Sequence, residues 1–142
     1  MIREALAGFQ AYFESLTPEA VRHLDTVYAP EAYFRDPFNE VRGIEEISRI
    51  FDGMYEAMHE PRFRIVETLL EGDRAVLVWD FTFRIKRWKP DTLQKIHGLS
   101  LVRFGPDGRV FYHRDYWDAA GELYAKLPLV GPVMRYLARR MG

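Results

Sequence analysis

His113 and Asp115 stand two residues apart in the run RVFYHRDYW. Strand alternation puts them on one face with Trp117, while Tyr112, Arg114 and Tyr116 take the other. A carboxylate beside an imidazole is an acid/base pair: the carboxylate moves a proton and the imidazole orients or protonates it, unless the two simply form a structural pair in a wall. The same groups could ligate a metal, but no third and fourth ligand stands at supporting spacing, so no metal is expected. Asp36 is a further candidate, although an aspartate before Pro37 is ordinarily a solvated turn residue. His97 faces away from Ser100 along its strand, and Asp80 away from Trp79, Phe81 and Phe83, which makes both surface or interface residues. There is no GxGxxG element, no phosphate-binding glycine loop and no Ser-His-Asp order, so nucleotide-dependent chemistry is not indicated and no cofactor is expected.

The elements that must position these groups fit one domain, residues 1–142, long enough to bury about two-thirds of the surface of its unfolded chain. No cysteine is present, which rules out disulfides and thiolate zinc sites and fits a reducing, cytoplasmic compartment. Twenty basic against twenty-one acidic residues argue against a general attraction to nucleic acid. No stretch approaches the ~20 apolar residues of a membrane span, so no stable membrane insertion is expected. Aromatic residues make up 15% of the chain, a share that cores and ligand cavities use.

Residues 2–16 carry Ile2, Leu6, Phe9, Phe13 and Leu16 on one helical face, with Tyr12 at its edge, where its hydroxyl would reach water. Thr17 and Pro18 start a second helix with Val21, Leu24, Val27 and Tyr28 inward, ended by Pro30. AYFRDPFNEVRG reads as a brief strand and a loop, and Ile44 to Met58 as a third helix stopping before Pro61. From Phe63 the period changes to two, through FRIVETLL, AVLVWDFTFRIK, QKIHGLSLVRF and RVFYHRDYW, an antiparallel meander. Leu77, Trp79, Phe81 and Phe83 form the apolar, concave face. The opposite face keeps Val76, Val78, Leu99, Leu101, Tyr112 and Tyr116, which predicts a homodimer. Asp118 caps a closing helix, AAGELYAKL; LPLVGP is apolar enough for a lid, and VMRYLARRM is a short basic helix. Helices followed by consecutive strands make an α+β domain with helices on one face of the sheet.

That order, with particular residues, resembles the nuclear transport factor 2-like superfamily, and within it the ketosteroid isomerases and the SnoaL-like polyketide cyclases. The resemblance runs from Tyr12-Phe-Glu-Ser-Leu through Tyr28-Ala-Pro-Glu-Ala to Phe34-Arg-Asp36-Pro37, and again from Asp107-Gly-Arg-Val to His113-Arg-Asp115-Tyr-Trp117. It implies a cone-shaped domain of about three amino-terminal helices on a curved antiparallel sheet with a mixed edge, closed by a short carboxy-terminal helix. It places Asp36 on the isomerase general base, Tyr12 on its oxyanion-hole tyrosine and Asp115 on the cyclase acid/base residue, and makes the His113 face the inner one. Ser100 stands where the isomerase has an aspartic acid and the cyclase a histidine, so neither set is complete. Epoxide hydrolases of the limonene type need an arginine and an aspartate where Phe81 and Phe83 stand, which disfavours their chemistry.

The expectation is a cofactor-independent acid/base enzyme of isomerase or cyclase type, working through an enolate on a small apolar carbonyl compound. Asp115 and Asp36, with His113, move protons; Tyr12 and Ser100 stabilise the oxyanion; Trp79, Phe81, Phe83, Phe104 and Trp117 form the walls. The alternative is a non-catalytic ligand-binding or dimerisation module of the same fold.

Overall fold

The computed structural model describes residues 1–122 and Arg139. In chain order the elements are α1 (Ile2–Glu14), a 3-10 helix (Ala20–Thr26), β1 (Tyr28–Arg35), β2 (Glu40–Arg42), α2 (Ile44–Ala57), β3 (Met58–Glu71), β4 (Arg74–Ile85), β5 (Gln94–Phe104), β6 (Val110–Trp117) and the start of α3 (Ala119–Glu122). The six strands lie in the order β2-β1-β6-β5-β4-β3. β1 and β6 run parallel and every other pair antiparallel, so the sheet is mixed, with its parallel pair one strand in from the β2 edge. No helix among the described residues is long and apolar enough to cross a membrane.

The alternation along β4 decides which face becomes the core. Leu77, Trp79, Phe81 and Phe83 are buried, and their neighbours Val76, Val78, Asp80 and Thr82 are only partly covered on the outer face. On that outer face His97 and Asp80 pair across β5 and β4, Nδ1 to Oδ1 at 2.7 Å. The His97 contact, with Lys95 nearby, holds the Asp80 carboxyl below its usual range. The inner face is covered by two amphipathic helices: α1 buries Leu6, Phe9 and Phe13, and α2 buries Ile47 and Phe51. α2 starts at Gly43, whose φ of +98° a side chain would resist, and Glu45 and Glu46 sit favourably at its amino-terminal end.

Two boundaries differ from the sequence reading. The run Val21, Leu24, Val27, Tyr28 is a short 3-10 helix that ends at Thr26, and Tyr28 opens β1 with Pro30 inside the strand. Likewise α2 ends at Ala57, and β3 begins at Met58 and carries Pro61 within it. Each proline falls where pairing loses register, between Tyr28 and Tyr33 in β1 and between His59 and Arg62 in β3. A residue without a ladder N–H is tolerated at such points, so neither proline acts as a terminator here. Asp118 caps α3, its Oδ1 accepting the Gly121 N–H at 2.9 Å. The expected continuation of that helix, the LPLVGP lid and the VMRYLARRM helix lie outside the described residues.

Gly98 faces the inner side of β5, opposite Trp79 on β4 and Trp117 on β6. A Cβ there would meet Trp79 Cη2 at 2.7 Å, Trp117 Cβ at 2.9 Å and the Tyr116 carbonyl at 2.9 Å, and two of these three cannot swing aside. Gly98→Ala is therefore expected to lower stability by about 1–3 kcal/mol in urea unfolding, whereas an unchanged midpoint would show that the β6 backbone yields along with the indole.

Candidate functional site

Register, more than any local motif, assembles the site. β5 and β6 set Ser100 directly opposite Asp115, and β4 and β5 set Trp79 opposite Gly98, whose missing side chain lets the indole lie across β5. Trp79 Nε1–H donates to Ser100 Oγ at 2.9 Å, and Ser100 Oγ–H donates to Asp115 Oδ1 at 2.5 Å. The direction is fixed, because an indole nitrogen only donates and so leaves the serine proton for the carboxylate. His113 Nε2 reaches the same Oδ1 at 2.6 Å, and His113 Nδ1 meets the Tyr28 hydroxyl at 2.6 Å. The imidazole is buried, with Phe34, Phe9 and Phe13 at ring separations of 4.8, 5.7 and 6.1 Å and Tyr28 stacked at 5.9 Å. Burial, then the negative charge of Asp115, pushes the Tyr28 phenol well above its ordinary value.

Asp115 thus carries two donors on one oxygen. Its Oδ2 has no hydrogen-bond partner among the described residues, and 18% of the side chain remains exposed. The solvation this oxygen gives up is replaced by His113 and Ser100. The carboxylate borders two spaces. One is an interior void of about 30 Å³ walled by aromatic rings of α1 and β3 with Trp79, room for one or two waters. The other is an open groove of about 450 Å³ where β1 stops at Arg35 while β6 runs on to Trp117, a size that suits a small ligand.

Of the other expected site residues, Tyr12 and Asp36 make no hydrogen bond to this carboxylate. The Tyr12 hydroxyl donates to the Ala20 carbonyl at 2.6 Å, and Tyr12 does not line the interior void. Burial, then Tyr55 and Asp25 against the opposing pull of Arg22, raises its phenol to about 12. Asp36 folds its own turn, accepting the N–H groups of Phe38 and Asn39 at 2.8 and 2.7 Å, and lines the same groove as Asp115. Ser100 is buried at the site, but its proton is committed to Asp115. Of the expected walls, Trp79 lines the void and Trp117 the groove, with Phe38 packed on Trp117 at 5.5 Å. Phe81 and Phe83 stack on each other at 5.0 Å in one cluster with Trp79 and Ile96 but line neither space, and Phe104 packs edge-on against Phe9. Sequence reasoning missed Tyr28, together with the wall residues Phe9, Phe13 and Phe63. Helical spacing hid Tyr28; the signal that could have found it was the β-rich run Tyr28 to Phe34 beside His113. No group of three or more His, Asp or Glu side chains suited to a metal ion occurs among the described residues.

The model of the SnoaL-like domain family matches residues 9–113. The chain belongs to that family. The matched span includes Tyr28, Trp79, Ser100 and His113 and stops two residues short of Asp115. No curated protein matches the chain in sequence. Among solved structures, it is similar to a hypothetical protein of ketosteroid isomerase-like fold from Catenulispora acidiphila, in complex with trimethylamine, at 19% identity and a TM-score of 0.71, over 84% of this chain and 89% of that one. A candidate SnoaL-like polyketide cyclase from Shewanella denitrificans gives 18% identity and 0.67 over 88% and 98%, and TsrD from Streptomyces laurentii 22% and 0.64 over 84% and 90%. At these identities the likeness shows the fold: this SnoaL-like domain has the nuclear transport factor 2-like, ketosteroid isomerase-like architecture, a mixed sheet of six strands with helices.

Two outcomes follow from the geometry. Asp115→Asn keeps an acceptor oxygen for both donors and is expected to change stability by less than about 1 kcal/mol, whereas Asp115→Ala orphans buried donors and should cost about 1–3 kcal/mol; equal losses in urea unfolding would contradict this. Tyr12 stays protonated in the folded state up to about 12, above the ordinary phenol value of 10.0. The unfolded chain therefore releases that proton first, so stability holds below the ordinary value and falls as pH rises towards the folded one. Tyr12→Phe should flatten the fall, read from melting temperatures across that alkaline range, and an unchanged slope would refute the assignment.

Proposed function

We propose that this SnoaL-like domain is a cofactor-independent acid/base catalyst of isomerase or cyclase type that moves a proton at carbon next to a carbonyl. The observation that carries the reading is Asp115: a carboxylate with one oxygen held by two donors and the other unpartnered among the described residues, facing both the aromatic void and the groove. Asp115 Oδ2 takes the proton from the substrate C–H, leaving an enolate, and returns it to the same or another carbon; His113 and Ser100 steady the carboxyl in both states. The donors nearest Asp115 already point at it. Substrates whose own conjugation spreads the enolate charge are therefore favoured over those needing a vacant oxyanion hole. The void admits only water-sized groups, so the substrate body lies in the groove lined by Trp117, Pro37 and Asp36.

A second reading, a binding module without turnover, is favoured by a specific observation: Asp36 and Tyr12 are spent on their own backbone contacts. One experiment separates the two. In deuterium oxide, a panel of small cyclic ketones and β-keto esters is followed by proton NMR for exchange of the C–H beside the carbonyl, with thermal shift reporting binding. Catalysed exchange that Asp115→Asn lowers by at least about 100-fold while binding persists supports the enzyme. Binding with no exchange above buffer, or exchange indifferent to Asp115→Asn, supports the module.

A further inference from the structure

Tyr28 is the most deeply buried polar side chain that neither the sequence reading nor the family resemblance assigned to the site, and its hydroxyl has a single hydrogen-bond partner among the described residues, His113 Nδ1. That pairing has consequences for every proton in the cluster. Three arrangements are conceivable for the imidazole. If His113 carried protons on both nitrogens, Nδ1–H would donate to the Tyr28 oxygen and the phenol proton would have no acceptor. If only Nδ1 carried a proton, the phenol proton would again be stranded, and a bare Nε2 would face Asp115 Oδ1 at 2.6 Å. If only Nε2 carries the proton, Tyr28 O–H donates to Nδ1, Nε2–H donates to Asp115, and nothing is left over. A stranded donor on Tyr28, which is fully buried and does not line the void, would cost the full desolvation of that group. The raised pKa of the buried phenol agrees, since it keeps the proton that the arrangement requires.

We propose that Tyr28 is a positioning residue of the site: by occupying His113 Nδ1 it holds the imidazole as the neutral Nε2–H tautomer, so that Asp115 receives two neutral donors on Oδ1 and keeps its anionic charge for Oδ2. The inference rests on the reading of Asp115 as the proton-transfer group. It adds what sets the charge of that group. An imidazolium at His113 would pair with Asp115 and draw the carboxylate's charge away from the substrate; a neutral imidazole orients without discharging it. Two arms of donors, Trp79 to Ser100 and Tyr28 to His113, then converge on one oxygen from opposite sides of β6, and each begins at a side chain whose proton has nowhere else to go. Among the described residues, the titratable groups in contact with His113 are Asp115 on its own strand and Tyr28 from β1, and the rest of its surroundings is apolar: Phe34 from β1, Val102 from β5, and Phe9 and Phe13 from α1.

The test is nitrogen NMR of the histidine-labelled protein, with the His113 signals identified by their loss in His113→Gln. The proposal expects one neutral form at neutral pH, with a proton on Nε2 and none on Nδ1, and a coupling across the hydrogen bond between the Tyr28 hydroxyl proton and Nδ1. In Tyr28→Phe it expects that single form to give way to a mixture or to exchange-broadened signals. The carbon-proton exchange rate kcat is expected to fall about 10–100-fold with KM little changed, the size typical of removing a group that orients a functional side chain. Protons on both nitrogens, or on Nδ1 alone, in the unmodified protein would overturn the proposal, as would an unchanged signal in Tyr28→Phe. Should that variant not fold, the unmodified protein's tautomer and coupling decide by themselves. The imidazole measurement needs no substrate, so it stands apart from the catalytic reading: the expected tautomer with no carbon-proton exchange would sink turnover and leave the positioning intact.

Discussion

A charged oxygen can be kept against a wall of aromatic rings only where hydrogen-bond donors meet it, and in this SnoaL-like domain that demand organises the interior. Asp115 Oδ1 is met by Ser100 and His113, and each of these is itself supplied, by Trp79 and by Tyr28. The four supporting side chains come from β4, β5, β6 and β1, so no single strand can shift without breaking the set. Because the side-chain period in a strand is two, a slip of one residue in any of these pairings would send its contributor to the outer face.

The rest of the fold can be understood as serving that register. Gly98 makes room for the indole that reaches Ser100, and the apolar faces of α1 and α2 close over the inner surface so that the imidazole is surrounded by rings. The early end of β1 at Arg35 has the opposite effect: among the described residues it leaves the last residues of β6 without a strand partner on that side, where the groove lined by Asp115 lies. One edge of the carboxyl is thereby dry and fixed and the other accessible, the asymmetry a proton-transfer group needs.

Much of this was legible in the chain. The alternation Leu77, Trp79, Phe81, Phe83 named the inner face of β4 correctly, and the same rule put Ser100, His113 and Asp115 on one side of their strands. What the sequence could not convey was which of several same-face residues touch. Phe81 and Phe83 share a face and a buried cluster with Trp79 yet lie further along the strand, and neither lines the void or the groove at Asp115. Tyr28 was hidden because Val21, Leu24, Val27 and Tyr28 satisfy helical spacing, and only the register break at Pro30 shows that the chain has already become a strand. The family resemblance gave Tyr12 and Asp36 roles in the site, but their hydroxyl and carboxyl groups are taken by short-range partners, the Ala20 carbonyl and the Asn39 turn. Local hydrogen bonds won because they require no strand to be placed first.

The account stands on Asp115 being an anion held by neutral donors. Infrared difference spectra of the unmodified protein against Asp115→Asn, with the aspartates labelled in carbon-13, isolate the stretch of that one carboxyl at neutral pH. The account predicts a carboxylate band, sharpened by two hydrogen bonds to one oxygen and shifted when Ser100→Ala removes one of them. A protonated carboxyl band in its place, or a carboxylate band indifferent to Ser100→Ala, would contradict it.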